Sequence, residues 1–202
     1  MPILWLAVKS PLSYSYRMFS WLSKFIKNPR VIGSVAPSSP ALAKLMTSGI
    51  KPEHKVLELG PGNGAITGFA VEKLACPTQL TLIEVEPALA EVCRKKFPGV
   101  LIKCNDVQDS LQNDPDRYDM ILSGIPFAIM RPEKRKRVFK LVHDHLKDDG
   151  VFIMFQYSTT TLDELKNIFN KVKVEFTPWN IPPAFVYFCH KKSSAAFPQQ
   201  SE

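Results

Sequence analysis

From residue 55 onward, short apolar runs alternate with segments of helical spacing, and this alternation constrains the fold more than any other feature. KVLELG is an apolar run ending in glycine. AITGFAVEKLA then reads as a helix, and QLTLIEVE as a second strand. PALAEVCRKKF carries Pro87 at a first helical turn. VLIKCND and YDMILSGI give a third and a fourth strand. PEKRKRVFKLVHDHLKDDG predicts a long helix stopped by Gly150, followed by VFIMFQYS, the helix LDELKNIFNKV, and two closely spaced strands, VKVEFTPW and AFVYFCHK. Such an order predicts an α/β domain with a parallel sheet covered on both faces and a final antiparallel pair.

The first strand runs into GPGNG, a glycine loop between a strand and a helix. Gly60, Gly62 and Gly64 let the backbone turn sharply and approach a ligand closely. Three acids stand near the ends of three successive strands: Glu58, Glu84 and Asp106. At these places they could meet a ligand's amino group, its ribose and an adenine amine. Glu86 is an alternative to Glu84, because strand alternation aims both at one face. This pattern resembles the S-adenosylmethionine (SAM) site of class I methyltransferases. NAD binding is the runner-up, but the chain lacks room for a second nucleotide-binding half plus a substrate domain.

The fourth strand ends in Ser123-Gly124-Ile125-Pro126-Phe127. Methyltransferases of planar amines often carry Asn-x-Pro-aromatic here, with the amide gripping the amine. In this chain glycine replaces the amide. Taken together, IGSVAPSS (32–39), ELGPGNG (58–64), LIEVEP (82–87), SGIPF (123–127) and NIPPAFVYF (180–188) resemble the bacterial phospholipid N-methyltransferases, in the branch similar to ribosomal RNA adenine dimethylases. The resemblance covers roughly residues 18–191.

It implies a class I SAM-dependent, Rossmann-like methyltransferase fold: a mostly parallel seven-stranded sheet with an antiparallel last strand, plus an N-terminal amphipathic helix. It implies SAM contacts at Ser38, Ser39, Glu58, Gly60, Pro61, Gly62, Gly64, Glu84, Val85, Asp106, Val107 and Ser123, and acceptor-side roles for Tyr16, Ser123, Gly124, Ile125, Pro126, Phe127 and Tyr157. Phe127 and Tyr157 would face a methylammonium through cation–π contact. The implied reaction converts the phosphatidylethanolamine headgroup toward phosphatidylcholine, with an anionic membrane surface as partner and a place on the inner face of the cytoplasmic membrane. No metal and no nucleic acid are expected. Methylation of RNA adenine or of a small amine is the alternative.

Charge supports an anionic partner. The net charge is +7, and the first acid is Glu53. Before it stand seven basic residues, and the remaining 150 residues carry 19 charges of each sign. Residues 13–27 place Tyr14, Met18, Trp21 and Phe25 on one helical line, with Arg17, Lys24 and Lys27 opposite. Such a helix either packs on its own core or lies in a membrane interface. The expected organisation is residues 1–30 as a membrane-contacting segment, 31–192 as the catalytic domain and 193–202 as a disordered tail.

IGSVAPSS reads as a helix start, with Ser39 as N-cap before Pro40, and also as a lid over the cofactor. The four cysteines lack metal spacing and predict free, buried thiols. His143 and His145 stand two apart on a helix, so they point to different faces and make no metal pair. PEKRKR predicts a solvated charged face.

Overall fold

A computed structural model describes residues 38–191. The amphipathic segment 13–30, Tyr16, most of IGSVAPSS and the tail lie outside the described residues. Seven strands form one sheet in the order β3-β2-β1-β4-β5-β7-β6. They are β1 (Val56–Leu59), β2 (Leu80–Glu84), β3 (Leu101–Cys104), β4 (Tyr118–Ser123), β5 (Leu146–Gln156), β6 (Lys171–Thr177) and β7 (Ala184–His190). Strand β7 runs antiparallel to β5 and to β6, and the other pairings are parallel. The helices are α1 (Pro40–Met46), α2 (Ala65–Val71), α3 (Pro87–Lys96), α4 (Val107–Gln112), α5 (Pro132–His145) and α6 (Leu162–Ile168).

Strand alternation divides the core into two layers. Leu57, Leu59 and Ile121 face one layer, with Val138 and Phe139 of α5 and Leu165 of α6. Val56, Leu80, Leu82 and Leu122 face the other, with Leu42 of α1, Ile66 of α2 and Cys93 of α3. The central strands β1 and β2 are buried throughout, as a sheet covered on both sides requires. At the edge, β6 alternates exposed Lys171 and Lys173 with half-buried valines, a pattern that discourages further strand pairing.

Two elements differ from the sequence reading. Helix α5 ends at His145, five residues before Gly150. Leu146 already belongs to β5, because its side chain is needed in the core. Tyr118 pairs with Leu146 and Met120 with Val151, so residues 147–150 form an irregular excursion within β5. The other is α4, a single short helix capped by Asp106, whose carboxylate accepts the Gln108 N–H at 2.8 Å. It is too short to show a periodicity.

Candidate active site

The site is built where strands β1 to β5 end. Backbone hydrogen bonds join their outgoing loops: Gly60 N–H to Ile83 O, Asn105 N–H to Glu84 O and Gly124 N–H to Leu59 O, at 2.9, 3.1 and 2.9 Å. The glycine loop is therefore tied on both sides. Gly60, Gly62 and Gly64 all have positive φ, which only glycine adopts without strain. Their surroundings differ. A Cβ at Gly64 would strike the Phe97 ring, and one at Gly60 would meet Ile125 at 2.9 Å. A Cβ at Gly62 would meet nothing within 4 Å. The open side of the loop is thus at Gly62, where a bound cofactor has room to approach the backbone.

Glu84 defines the floor beside it. Its carboxylate accepts the Gly62 N–H and the Glu86 N–H, each at 3.0 Å. Strand β2 stops at Glu84, and Glu86 already caps α3. The alternation argument that made the two acids equivalent therefore does not reach Glu86. Val85, between them, is 66% exposed and offers an apolar surface at the same edge.

Glu58 alternates with Leu57 and Leu59, so it points into the layer beneath α2. There Thr67 donates its hydroxyl to the carboxylate at 2.7 Å. Glu58 is 1% exposed. Burial raises its carboxyl from 4.5 to about 7, Thr67 pulls it down, and the nearby Glu84 charge pushes it up. It is thus anchored between the strand that leads into the glycine loop and the helix that leaves it.

Asp106 is half-buried. Besides capping α4 it forms an ion pair with Lys134 at 2.6 Å. Burial raises its carboxyl, but the Lys134 and backbone bonds outweigh this and hold it below the ordinary value. The Val107 N–H next to it has no partner within α4, as for any first helical residue.

The loop after β4 is held from three sides. Ser123, fully buried, accepts the Ile125 N–H on its hydroxyl at 3.1 Å. Gln156, at the end of β5, donates to Ile125 O at 2.9 Å and accepts the Ala128 N–H at 3.2 Å. Arg135 donates to Phe127 O and Met130 O and pairs with Glu164 of α6. PEKRKR is thus not simply a solvated face, since Arg135 is a buried staple. Pro126 centres a tight turn that returns the Phe127 N–H to Ile125 O at 2.9 Å.

Two expectations about this loop change. A Cβ at Gly124 would lie 2.7 Å from Gly60 O. Glycine is there because two loops touch, so no side chain of any kind fits the loop as it stands. Phe127 does not face the site: it is fully buried, with its ring centroid 4.7 Å from Phe139 and 6.2 Å from Phe152. The aromatic wall comes instead from Phe155 and Tyr157, whose rings meet edge-on at 5.7 Å. Phe155 lies 4.0 Å from the Cβ direction of Gly124. Both belong to the layer that holds Glu58, opposite Phe127. Phe155 was not singled out from sequence, although its i, i+2 spacing to Tyr157 was the available signal.

The same corner joins the start of the described chain to the loop between β6 and β7. Asn180 accepts the Ser39 N–H at 2.9 Å and donates to Pro182 O at 2.8 Å. Ser39 also caps α1 through the Leu42 N–H at 3.1 Å. Burial raises the Tyr157 phenol above its ordinary value, while the Asn180 side chain pulls it back. Tyr157 is therefore a neutral phenol near pH 7. Ser39, Asn180 and Tyr157 stand together at the sheet end that carries the glycine loop, with Ser38 next to Ser39 in the chain, and Pro61 lies within that loop.

Elsewhere, a cavity of about 260 Å³ lined by His54, Asp119, Asp149 and His190 lies at the opposite edge of the sheet. The cysteines are free, but only Cys93 and Cys189 are buried; Cys76 and Cys104 are exposed. Among the described residues, no helix is long and apolar enough to cross a membrane, and no cluster of three metal-ligating side chains occurs.

Comparison with known proteins agrees with this geometry. Residues 56–150 match a methyltransferase-domain family model. The ornithine lipid N-methyltransferase of Singulisphaera acidiphila is 29% identical over 181 residues, 85% of this chain and 94% of its own. Ribosomal RNA small subunit methyltransferase A of Chlorobium chlorochromatii is 35% identical over 91 residues, 44% of this chain and 34% of its own. Among solved structures, the Burkholderia thailandensis 1,6-didemethyltoxoflavin-N1-methyltransferase, with bound 1,6-didemethyltoxoflavin and S-adenosylhomocysteine, superposes with a TM-score of 0.65 at 17% identity over 94% of this chain and 93% of that one. The N-methyltransferase NodS of Bradyrhizobium japonicum, in complex with S-adenosylhomocysteine, gives a TM-score of 0.59 at 15% identity over 73% and 82%. The fold is that of the class I SAM-dependent methyltransferases.

Proposed function

We propose that this protein transfers methyl groups from SAM to the amine of a membrane-lipid headgroup, with phosphatidylethanolamine, converted toward phosphatidylcholine, as the substrate. One observation carries the lipid assignment. The similarity to a lipid N-methyltransferase extends over 85% of this chain and 94% of the relative, whereas the ribosomal RNA enzyme matches over about a third of its own length. A similarity of that extent supports a lipid acceptor more than an RNA one.

The residues fit the cofactor. Gly62 leaves open space at the loop, Glu84 and Val85 offer a polar and an apolar contact at the end of β2, and Asp106 with the Val107 N–H stands at the end of β3. Glu58 places negative charge on the strand that leads into the loop, suited to a cationic ligand. SAM supplies a methyl group already activated on a sulfonium, so the protein's main task is positioning. The acceptor enters over Gly124, between the glycine loop and the Phe155–Tyr157 wall. Each transfer turns a neutral amine into an ammonium, which an aromatic wall suits, and the ammonium sheds a proton to water before the next transfer. Tyr157, held neutral, orients the amine through its hydroxyl but takes no proton at neutral pH. The enzyme acts from the inner face of the cytoplasmic membrane.

The test is methyl transfer from labelled SAM to three acceptors in parallel: vesicles containing phosphatidylethanolamine, vesicles containing an ornithine lipid, and ribosomal RNA. Label in methylated phosphatidylethanolamine supports the assignment. Label only in the ornithine lipid keeps the reaction and changes the headgroup. Label only in RNA overturns it.

A further inference from the structure

The loop joining β6 and β7 reads Pro178-Trp179-Asn180-Ile181-Pro182-Pro183. Because β6 is parallel to β5, this loop lies at the same sheet edge as the glycine loop and Tyr157. Asn180 turns inward to Ser39. Its two neighbours turn outward: Trp179 is 78% exposed and Ile181 83%. Phe176, at the end of β6, is 57% exposed and packs on Phe185 at 5.3 Å. These are three of the five large exposed apolar side chains among the described residues, gathered on one hairpin end. From Phe176 to Cys189 the chain carries no charged side chain.

Folding gains nothing from presenting Trp and Ile to water, and a clustered apolar patch marks a contact surface. The partner is indicated by charge. The start of α5, at the same edge, carries Arg131, Lys134, Lys136 and Arg137 around the single acid Glu133, with Arg131, Lys136 and Arg137 exposed. An apolar tip containing Trp, at the same end of the sheet as these cations, matches the interfacial layer of an anionic bilayer, where indole rings settle at headgroup depth and basic groups meet the surface potential.

We propose that the β6–β7 loop is a membrane-insertion element: Trp179 and Ile181 enter the interfacial layer of an anionic membrane and set the mouth of the site at the headgroup plane. This deepens the lipid reading above, but the insertion is measurable without turnover. The full chain has three tryptophans, so Trp5→Phe with Trp21→Phe leaves Trp179 as the reporter. Vesicles of phosphatidylglycerol and phosphatidylethanolamine with brominated acyl chains shift its emission to the blue and quench it. Ile181→Asp, on a side chain that supports no core, weakens vesicle partitioning by about ten- to hundredfold. Its turnover of a short-chain lipid in detergent stays at the parent level.

Vesicle binding without quenching of Trp179 overturns the proposal, because the contact then lies elsewhere. A blue-shifted Trp179 without vesicles, in a dimer that Ile181→Asp converts to monomer, also overturns it, since a second copy is then the occupant. Quenching in a protein that methylates no lipid amine, even in detergent, supports insertion and sinks the catalytic assignment instead.

Discussion

Glu58 makes cofactor binding a proton-linked event. Its carboxyl is raised from 4.5 to about 7 by burial. In the folded protein without ligand, the proton is therefore retained over a range where the unfolded chain has lost it. Stability then falls as pH rises: the penalty is absent below pH 4.5, grows up to about 7 and is complete above that. A shift of this size corresponds to about 3 kcal/mol. A cation seated over the loop within about 6 Å of the carboxylate returns a similar amount, about 3 kcal/mol at an effective dielectric of 20. Binding thus pulls Glu58 back toward the ordinary carboxylate range and releases a proton. Calorimetric titration with SAM or S-adenosylmethionine analogues, in buffers of different ionisation enthalpy, should show release of about one proton near pH 6 and none above about pH 8. Affinity should fall by up to about tenfold per pH unit below 7. Glu58→Gln, whose amide oxygen still accepts from Thr67, should raise unliganded stability at about pH 8 by up to about 3 kcal/mol and abolish the proton release. A binding constant that is flat from about pH 5.5 to 8.5, in the parent as in Glu58→Gln, would refute the reasoning.

Glu84→Ala removes the acceptor of the Gly62 and Glu86 N–H groups and should weaken cofactor affinity by tenfold or more, about 1.5–3 kcal/mol, in the same calorimetry. Gly124→Asn drives a Cβ into Gly60 O at 2.7 Å, so turnover should drop without any gain of RNA methylation, read with the acceptor panel. Arg135→Met leaves Glu164 half-buried without its partner and frees two carbonyls; denaturant unfolding should show a loss of about 3–5 kcal/mol. Gln156→Leu unties Ile125 O and Ala128 N–H and, with the acceptor over Gly124 as proposed, should lower kcat more than it raises the KM for SAM.

The parts of the site that were legible in the sequence are those whose meaning is local. Gly60, Gly62 and Gly64 follow a strand and precede a helix within a few residues, and Glu84 closes the next strand. The place of the glycines follows from spacing, while the choice of Glu84 over Glu86 needed the end of β2. What was not legible depends on partners far along the chain. Gln156 acquires its role from Ile125, 31 residues away, and Asn180 from Ser39, 141 away. Arg135 looked like one of four basic residues in PEKRKR until α6 supplied Glu164. Phe127 shows the other limit of local reading. A strand's own alternation assigns faces, but a proline turn after the strand reset the direction and put the ring in the core. Phe155, still within the strand, kept its face. Gly124 was read as glycine standing in for an amine-gripping amide, whereas the contact with Gly60 suffices to require it.

The position of β7 has a consequence for biosynthesis. Strands β1 to β4 pair only with one another and with β5, in the order β3-β2-β1-β4, so all partners within the cofactor half of the sheet are present once residues 56–123 have left the ribosome. Strand β6 cannot follow in turn. Its place is beyond β7, which is made later and must slip between β5 and β6. Until then β6 has no neighbour, and Tyr157 and Asn180 have not been brought to their corner. A nascent chain would acquire its nucleotide-binding face first and its acceptor-side edge last, so a half-made molecule could hold the methyl donor before it had anything to methylate.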